Sequence, residues 1–397
     1  MTAPARPDPR PRVFFGALES LRGVAALAVA FYHVPWVNPT YYLGVVRNSY
    51  LMVDFFFVLS GFVICHGYRE SLRSGQDLCR YAWLRFGRLY PLHLAVLLVW
   101  LSLDVVVFAK QVVTGDVGAV PAFSSVHYHE LWTSLLLIQG LGTNSDLVYN
   151  YPSWSISTEF YTCLLFGVVV LLLRHRRPLW QVAAVISILS LVTYLLSGEQ
   201  SFRHAFHFAF FRCVLGFFFG VVTYQAYLSL KPTFDRIGGG SPFNWAVSLT
   251  LGGTIAFLGV KTIGPSDFAI TPLVGLVVLL VAGAQGGVAV RVLAWKPFAW
   301  LGRVSYSIYM VHAFVLVVAN EVLRRLLKIL PQMDLGRELG AGQLHPRAAL
   351  GTALLVVTIG VVCLASHVTY TFVEDPFRKK SKQLADRWFG ARDRTIR

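Results

Sequence analysis

"RGVAALAVAFYH", residues 22–33, is the stretch on which the reading of this chain turns. An arginine opens it and a histidine closes it. Everything between them is apolar or Gly, apart from Tyr32. A helix at a soluble protein's surface would show a polar face within two turns. This one does not, and the run around it, 17–35, is long enough to cross the hydrocarbon of a bilayer. Both end residues are expensive in that medium. Eleven helical steps bring His33 about 20° past three full turns from Arg22. The two therefore share one face, about 16 Å apart along the axis.

Working outward, the 397-residue chain is 55% hydrophobic and 14% charged, with mean hydropathy +0.58. Ordinary soluble domains are about 25% charged. Further apolar runs fall at 50–67, 83–107, 154–173, 179–196, 208–229, 243–262, 269–288, 300–323 and 348–373. The fold class expected is all-α: a polytopic integral membrane protein with about ten transmembrane helices. The run at 131–141 is too short to span and is expected to be re-entrant or interfacial. The signal-peptide reading of the first run is rejected, because the run continues past "AVA" at 28–30 and further spans follow.

The net charge of +15 does not call for nucleic acid. With the N-terminus inside, 25 of the 35 Lys and Arg fall on the cytoplasmic side, as the positive-inside rule requires. Arg324, Arg325 and Lys328 dissent. Both termini are thus expected in the cytoplasm, as tails at 1–16 and 374–397 flanking a membrane domain at 17–373. The five cysteines show no metal-ligand spacing and no disulfide framework, so no metal is expected.

Polar residues inside the runs are the functional candidates. Asp54 and Ser60 lie in "VDFFFVLSGFVICHG". Arg85 and Arg88, three residues apart and so neighbours on one face, lie in "RYAWLRFGRLYPLHL". Glu159 lies in "YPSWSISTEFYTCLLF"; Arg303, Tyr306 and His312 lie in "WLGRVSYSIYMVHAF". Each has a plainer reading: a snorkelling or positive-inside anchor for the arginines, an interfacial polar group for His33, a helix cap for Asp54. Arg80 and His93 are weaker candidates. Depth separates the set. His33, Asp54 and Glu159 belong to the outer half, and carboxylates beside a histidine suit acid–base work. Arg22, Arg85, Arg88 and Arg303 belong to the inner half, where planar guanidiniums suit phosphate oxygens.

Five stretches in order resemble the acyltransferase 3 family of integral membrane acyltransferases: "LESLRGVAALAVAFYH", "VDFFFVLSGFVI", "RFGRLYPLHL", "WSISTEFY" and "LGRVSYSIYMVHA". With "FVEDPFRKK" the resemblance covers almost the whole chain. It implies ten helices in a bacterial inner membrane. It also implies transfer of an acyl group, often acetyl, from cytoplasmic acyl-CoA to an extracytoplasmic carbohydrate hydroxyl. The family's arginine–ten residues–histidine motif falls on Arg22 and His33, its arginine pair on Arg85 and Arg88, and its acidic position on Glu159. Phe160 stands where many members carry a second acidic residue, and Glu19-Ser20 where Asp-Gly is usual.

The expected mechanism has Arg85 and Arg88, with Arg22 or Arg303, holding the donor's phosphates. His33 deprotonates the acceptor hydroxyl, or is itself acylated as a relay. Glu159 or Asp54 orients His33 and stabilises its protonated form. Ser60, Tyr306 and His312 line the substrate path, with Ser60, Tyr306 or backbone N–H groups as oxyanion donors. Two other classes compete: a transporter or acyl exporter without chemistry, and a scaffold for polysaccharide assembly. No paired Gly/Pro-broken helices point to the former.

Overall fold

A computed structural model describes residues 15–36, 38–115, 121–144, 147–173, 178–204, 208–329 and 348–390. The first fourteen residues, the basic residues at 174, 176 and 177, and the last seven residues lie outside them. The twelve principal helices are α1 (Gly16–Tyr32), α2 (Met52–Tyr68), α3 (Gly75–Thr114), α4 (Ser125–Leu135), α5 (Ser153–Leu173), α6 (Leu179–Leu196), α7 (Ala209–Ile237), α8 (Ser241–Val260), α9 (Ile270–Gly283), α10 (Lys296–Ile329), α11 (Ala348–Thr369) and α12 (Asp375–Phe389). No strand occurs among the described residues. Nine helices among them are long and apolar enough to cross a membrane. α1, at 17 residues, is a little shorter but within the range a bilayer accepts. The protein is an all-α, multi-pass membrane protein, with helices where the apolar runs predict them.

The differences lie at helix ends. α3 runs 40 residues, about 60 Å, well beyond the predicted 83–107. Its start is fixed by a capping box. The Asp77 backbone N–H donates to Ser74 Oγ at 3.2 Å, and the Ser74 N–H donates to Asp77 Oδ2 at 3.0 Å. It stops at Gly115, whose φ of 68° is the left-handed cap a glycine supplies without strain. The 131–141 segment is half helix: α4 ends at Leu135 and the chain turns back against the start of α5. There Gln139 Nε2 donates to the Ser153 carbonyl at 3.2 Å, and the Gly140 N–H to Ser157 Oγ at 3.1 Å. The segment predicted as a C-terminal tail is helix α12, docked along α3. Trp83 Nε1 donates to the Ser381 carbonyl at 3.0 Å, and Arg80 pairs with Asp386.

Lipid offers no hydrophobic drive between helices, so close backbone approach decides packing. α1 and α10 touch through glycines. A Cβ on Gly23 would stand 2.3 Å from the Leu301 carbonyl carbon, and one on Gly302 would stand 2.5 Å from the Glu19 carbonyl oxygen. That contact lays the helix carrying Arg22 and His33 against the one carrying Arg303, Tyr306 and His312. α6 and α8 present Ile188, Leu189, Leu249 and Ile255 outward, as lipid-facing helices do.

Candidate active site

α1 ends at Tyr32, and His33 caps it half-buried. Its Nδ1 lies 3.1 Å from Nε2 of His312, with the rings 5.2 Å apart and 25° from parallel. His312 Nδ1 in turn lies 3.2 Å from the Ile308 carbonyl, one turn back on α10. A carbonyl only accepts, so His312 Nδ1 carries the proton. Neutral His312 then has its lone pair on Nε2 and accepts from His33 Nδ1–H. The consequence is a His33 whose Nε2 holds a lone pair. Tyr32 and Tyr151 set their rings edge-on to His33, each with centroids at 4.8 Å. Burial holds the Tyr151 hydroxyl well above the usual tyrosine range, so it stays protonated.

The expected carboxylate partners of His33 are elsewhere. Asp54 forms a two-pronged pair with Arg212 of α7: Nε to Oδ1 at 3.0 Å and Nη2 to Oδ2 at 2.7 Å. Arg212 also donates to the Phe202 and Tyr50 carbonyls at 2.7 and 3.2 Å. Beside it Tyr50 donates to Asp267 at 2.8 Å, and Lys261 pairs with Asp267. Asp54 thus satisfies a buried guanidinium and ties helices together. Glu159 accepts from Ser60 Oγ at 2.7 Å. Ser60 is six residues beyond Asp54 on α2, about 9 Å deeper. Glu159 therefore sits toward the middle of the bundle, within electrostatic reach of Arg22, and not in the outer half beside His33.

At the other end of α1, Arg22 Nε donates to Ser305 Oγ at 2.8 Å and Nη2 to the Gly302 carbonyl at 3.2 Å, with Glu19 at 3.5 Å. Arg88 stands 3.8 Å from Glu374, which accepts from Ser307 Oγ at 2.9 Å. Arg22 is within electrostatic reach of both Arg88 and Glu374. Arg85 lies over the Tyr68 ring, 5.3 Å from its centroid, and its buried Nε has no protein partner. Arg22, Arg88 and Glu374 thus form a cluster, with Arg85 one turn from Arg88. Arg303 is exposed. Tyr306 is buried with its hydroxyl donated to the Leu89 carbonyl at 2.6 Å, so its proton is committed within the bundle. The weaker candidates hold structure: Arg80 ties down α12, and His93 Nε2 meets the Ser134 carbonyl at 2.9 Å.

Sequence reasoning missed Arg212, Glu374 and the histidine pairing. A lone arginine in the apolar run 208–229 was a visible signal for the first. "FVEDPF" carries family resemblance, with no signal in the sequence alone for what its glutamate meets.

Comparison with known proteins places the chain in a family. A family model described as an acyltransferase domain matches residues 15–367. The O-acetyltransferase OatA of Staphylococcus aureus is 23% identical over 92% of this chain, which spans 58% of OatA's length. The acyltransferase MdmB of Streptomyces mycarofaciens is 28% identical over 91% of this chain and 90% of its own. No solved structure matches. With one family model running through every helix that carries the histidines and arginines above, apart from Glu374, the chain belongs to the acyltransferase 3 family.

Proposed function

We propose that this protein is an O-acyltransferase of a bacterial inner membrane, moving an acyl group, acetyl in the first instance, from cytoplasmic acyl-CoA to a hydroxyl of an extracytoplasmic carbohydrate or glycoconjugate. The observation that carries the reading is α1 itself. Arg22 stands at one end beside a second arginine, and His33, with a free lone pair on Nε2, stands at the other.

The donor's phosphates bind at the Arg22, Arg85 and Arg88 end, where forked guanidiniums match phosphate geometry. The rise of about 16 Å between Arg22 and His33 lets the extended arm of the donor lie along α1. At His33, Nε2 takes the proton of the acceptor hydroxyl. The oxygen attacks the thioester carbonyl, the C–S bond breaks, and the departing thiolate takes the proton from His33. His312 fills the place a carboxylate holds in a serine-hydrolase triad: it accepts from Nδ1–H and fixes the productive tautomer. A neutral partner orients the base but stabilises its protonated form less than a carboxylate would. Glu159 and Ser60 line the path between the two ends. The names of OatA and MdmB, an O-acetyltransferase and an acyltransferase, support this class of reaction.

The test is His33→Ala in purified protein, with transfer from labelled acyl-CoA and CoA binding measured together. Transfer falls by about 10²-fold or more, the usual worth of a positioned base, while CoA affinity stays. Undiminished transfer in His33→Ala would refute the assignment. Labelled acyl-CoA without acceptor separates the direct route from an acyl-histidine relay, since only the relay leaves label on the peptide containing His33.

A further inference from the structure

A second nucleophile–base–carboxylate set lies at the His33 end, outside the site described above. Ser124 Oγ is 2.7 Å from His127 Nδ1, and His127 Nε2 is 3.7 Å from Asp104 Oδ2. The serine and histidine come from the start of α4 and the carboxylate from α3, 20 and 23 residues earlier in the chain. His127 is buried, Asp104 nearly so, and Ser124 half-exposed. A hydroxyl is therefore reachable from solvent while its base and carboxylate are shielded.

The plain reading is a helix cap, because Ser124 is the residue before α4 and His127 lies three further on. The geometry departs from a cap. Ser124 Oγ accepts from no backbone N–H of the first turn, forgoing an interaction worth about 1 kcal/mol. Its hydroxyl is turned to the imidazole. With Nδ1 accepting from Ser124, the ring proton sits on Nε2, facing Asp104. At 3.7 Å that contact is loose, as such contacts often are before substrate binds. Tyr149 closes the set from a different segment, its ring edge-on to His127 at 5.8 Å. Burial, with the Asp104 carboxylate second, holds the Tyr149 hydroxyl above its ordinary range, so it stays protonated near that carboxylate. The first-turn N–H groups of α4 lack intrahelical partners and lie beside Ser124 as ready oxyanion donors.

The set also adjoins His33 through the chain. Glu130, on α4 with His127, accepts from the Tyr149 N–H at 3.1 Å. Two residues on, Tyr151 packs against His33.

We infer that Ser124 is a second acyl-accepting nucleophile, activated by His127 and Asp104, that takes acyl groups from esters or thioesters reaching this end of the bundle. Ser124 Oγ attacks the acyl carbonyl while His127 Nδ1 takes the hydroxyl proton. The bond to the leaving alkoxide or thiolate breaks, and that group takes the proton from His127, leaving an acyl-Ser124 ester. A second hydroxyl, or water, then attacks the ester. Its proton passes through His127 to Ser124 Oγ, which leaves as the restored serine.

The test uses the full-length protein in detergent with p-nitrophenyl acetate, which needs neither CoA nor the arginine cluster. The expected result is a burst of p-nitrophenolate approaching the enzyme concentration, with acetyl on the peptide containing Ser124. Ser124→Ala removes the burst and the label. His127→Gln slows acylation by about 10²-fold or more, the worth of a positioned base. Acetyl is read peptide by peptide, so label on Ser124 is told apart from label on His33, and failure here from failure of the transfer mechanism. No acetyl on Ser124, or labelling of unchanged rate in His127→Gln with the thermal melt preserved, overturns the inference and leaves Ser124 a helix-start residue.

Discussion

Replacing Asp54 by Asn separates a structural carboxylate from a catalytic one. Asp54 and Arg212 are 1% and 3% exposed, joined by two hydrogen bonds, and Arg212 makes two more to backbone carbonyls. The amide keeps the shape of the carboxylate and can accept one of the two bonds, but it leaves a buried guanidinium without a counter-charge. Breaking such a pair costs about 3–5 kcal/mol, on the order of a hundredfold to a few thousandfold in the folded-to-unfolded ratio. Arg212→Met should cost as much for the mirror-image reason. Asp54→Leu combined with Arg212→Met removes both charges and should recover most of the loss, since apolar replacement of a whole buried pair is close to neutral. The thermal melt of each variant in detergent gives stability, and acyl transfer per folded molecule gives chemistry. The double-mutant cycle should show coupling of about 3 kcal/mol or more, with transfer by the surviving folded fraction of Asp54→Asn near the parent's. A variant that melts like the parent yet transfers nothing would refute this and return Asp54 to the chemistry at His33.

Two further outcomes follow from the site. His312→Phe should lower transfer by about 10²-fold with CoA binding kept, because it frees the His33 tautomer; His312→Gln, whose carbonyl can accept from His33 Nδ1, should retain more activity than Phe, and equal loss in both would show that more than hydrogen-bond acceptance is at stake. Arg88→Ala should weaken CoA binding and also lower the melt, because it strands buried Glu374, at a cost of about 3 kcal/mol; adding Glu374→Gln should restore the melt but not the binding, whereas Arg85→Ala, whose neighbour Tyr68 is neutral, should weaken binding alone.

What the sequence made legible follows from what is local. Run length sets a membrane helix, and so each predicted run is a helix in the structure. Arg22 and His33 share a face because helical arithmetic needs nothing beyond α1 itself. Capping chemistry extends α3 past its apolar run at both ends, and "SGQD" at 74–77 carried that signal. Partnership across helices is a different matter. Periodicity says which way a side chain points from its own axis, and nothing about which helix receives it. His33 with His312 is therefore a product of packing, set by where glycines let α1 approach α10, and Arg88 with Glu374 one set by the docking of α12 along α3.

One of those partnerships was nonetheless within reach, and it changes how the remaining charge is read. A lone charge in an apolar run demands a counter-charge at its own depth. Asp54 is the only Asp, Glu, Lys or Arg in 50–67, and Arg212 the only one in 208–229. Each lies four residues, about 6 Å, from the start of its run, and both runs begin at the same end under the predicted topology. Matching by depth pairs them without a structure. The same bookkeeping applied to 154–173 finds Glu159 five residues in, where the one cation near that depth, Arg212, is already matched to Asp54. In the structure, among the described residues, Glu159 has no ion-pair partner, only the Ser60 hydroxyl at 2.7 Å, and it is half-buried, deeper than Asp54 and within electrostatic reach of Arg22. A carboxylate kept there with no ion-pair partner among the described residues is poorly explained as scaffolding. It is better placed than Asp54 to meet a group that travels between the two ends of α1, and that is why Glu159 stays in the proposed path while Asp54 leaves it.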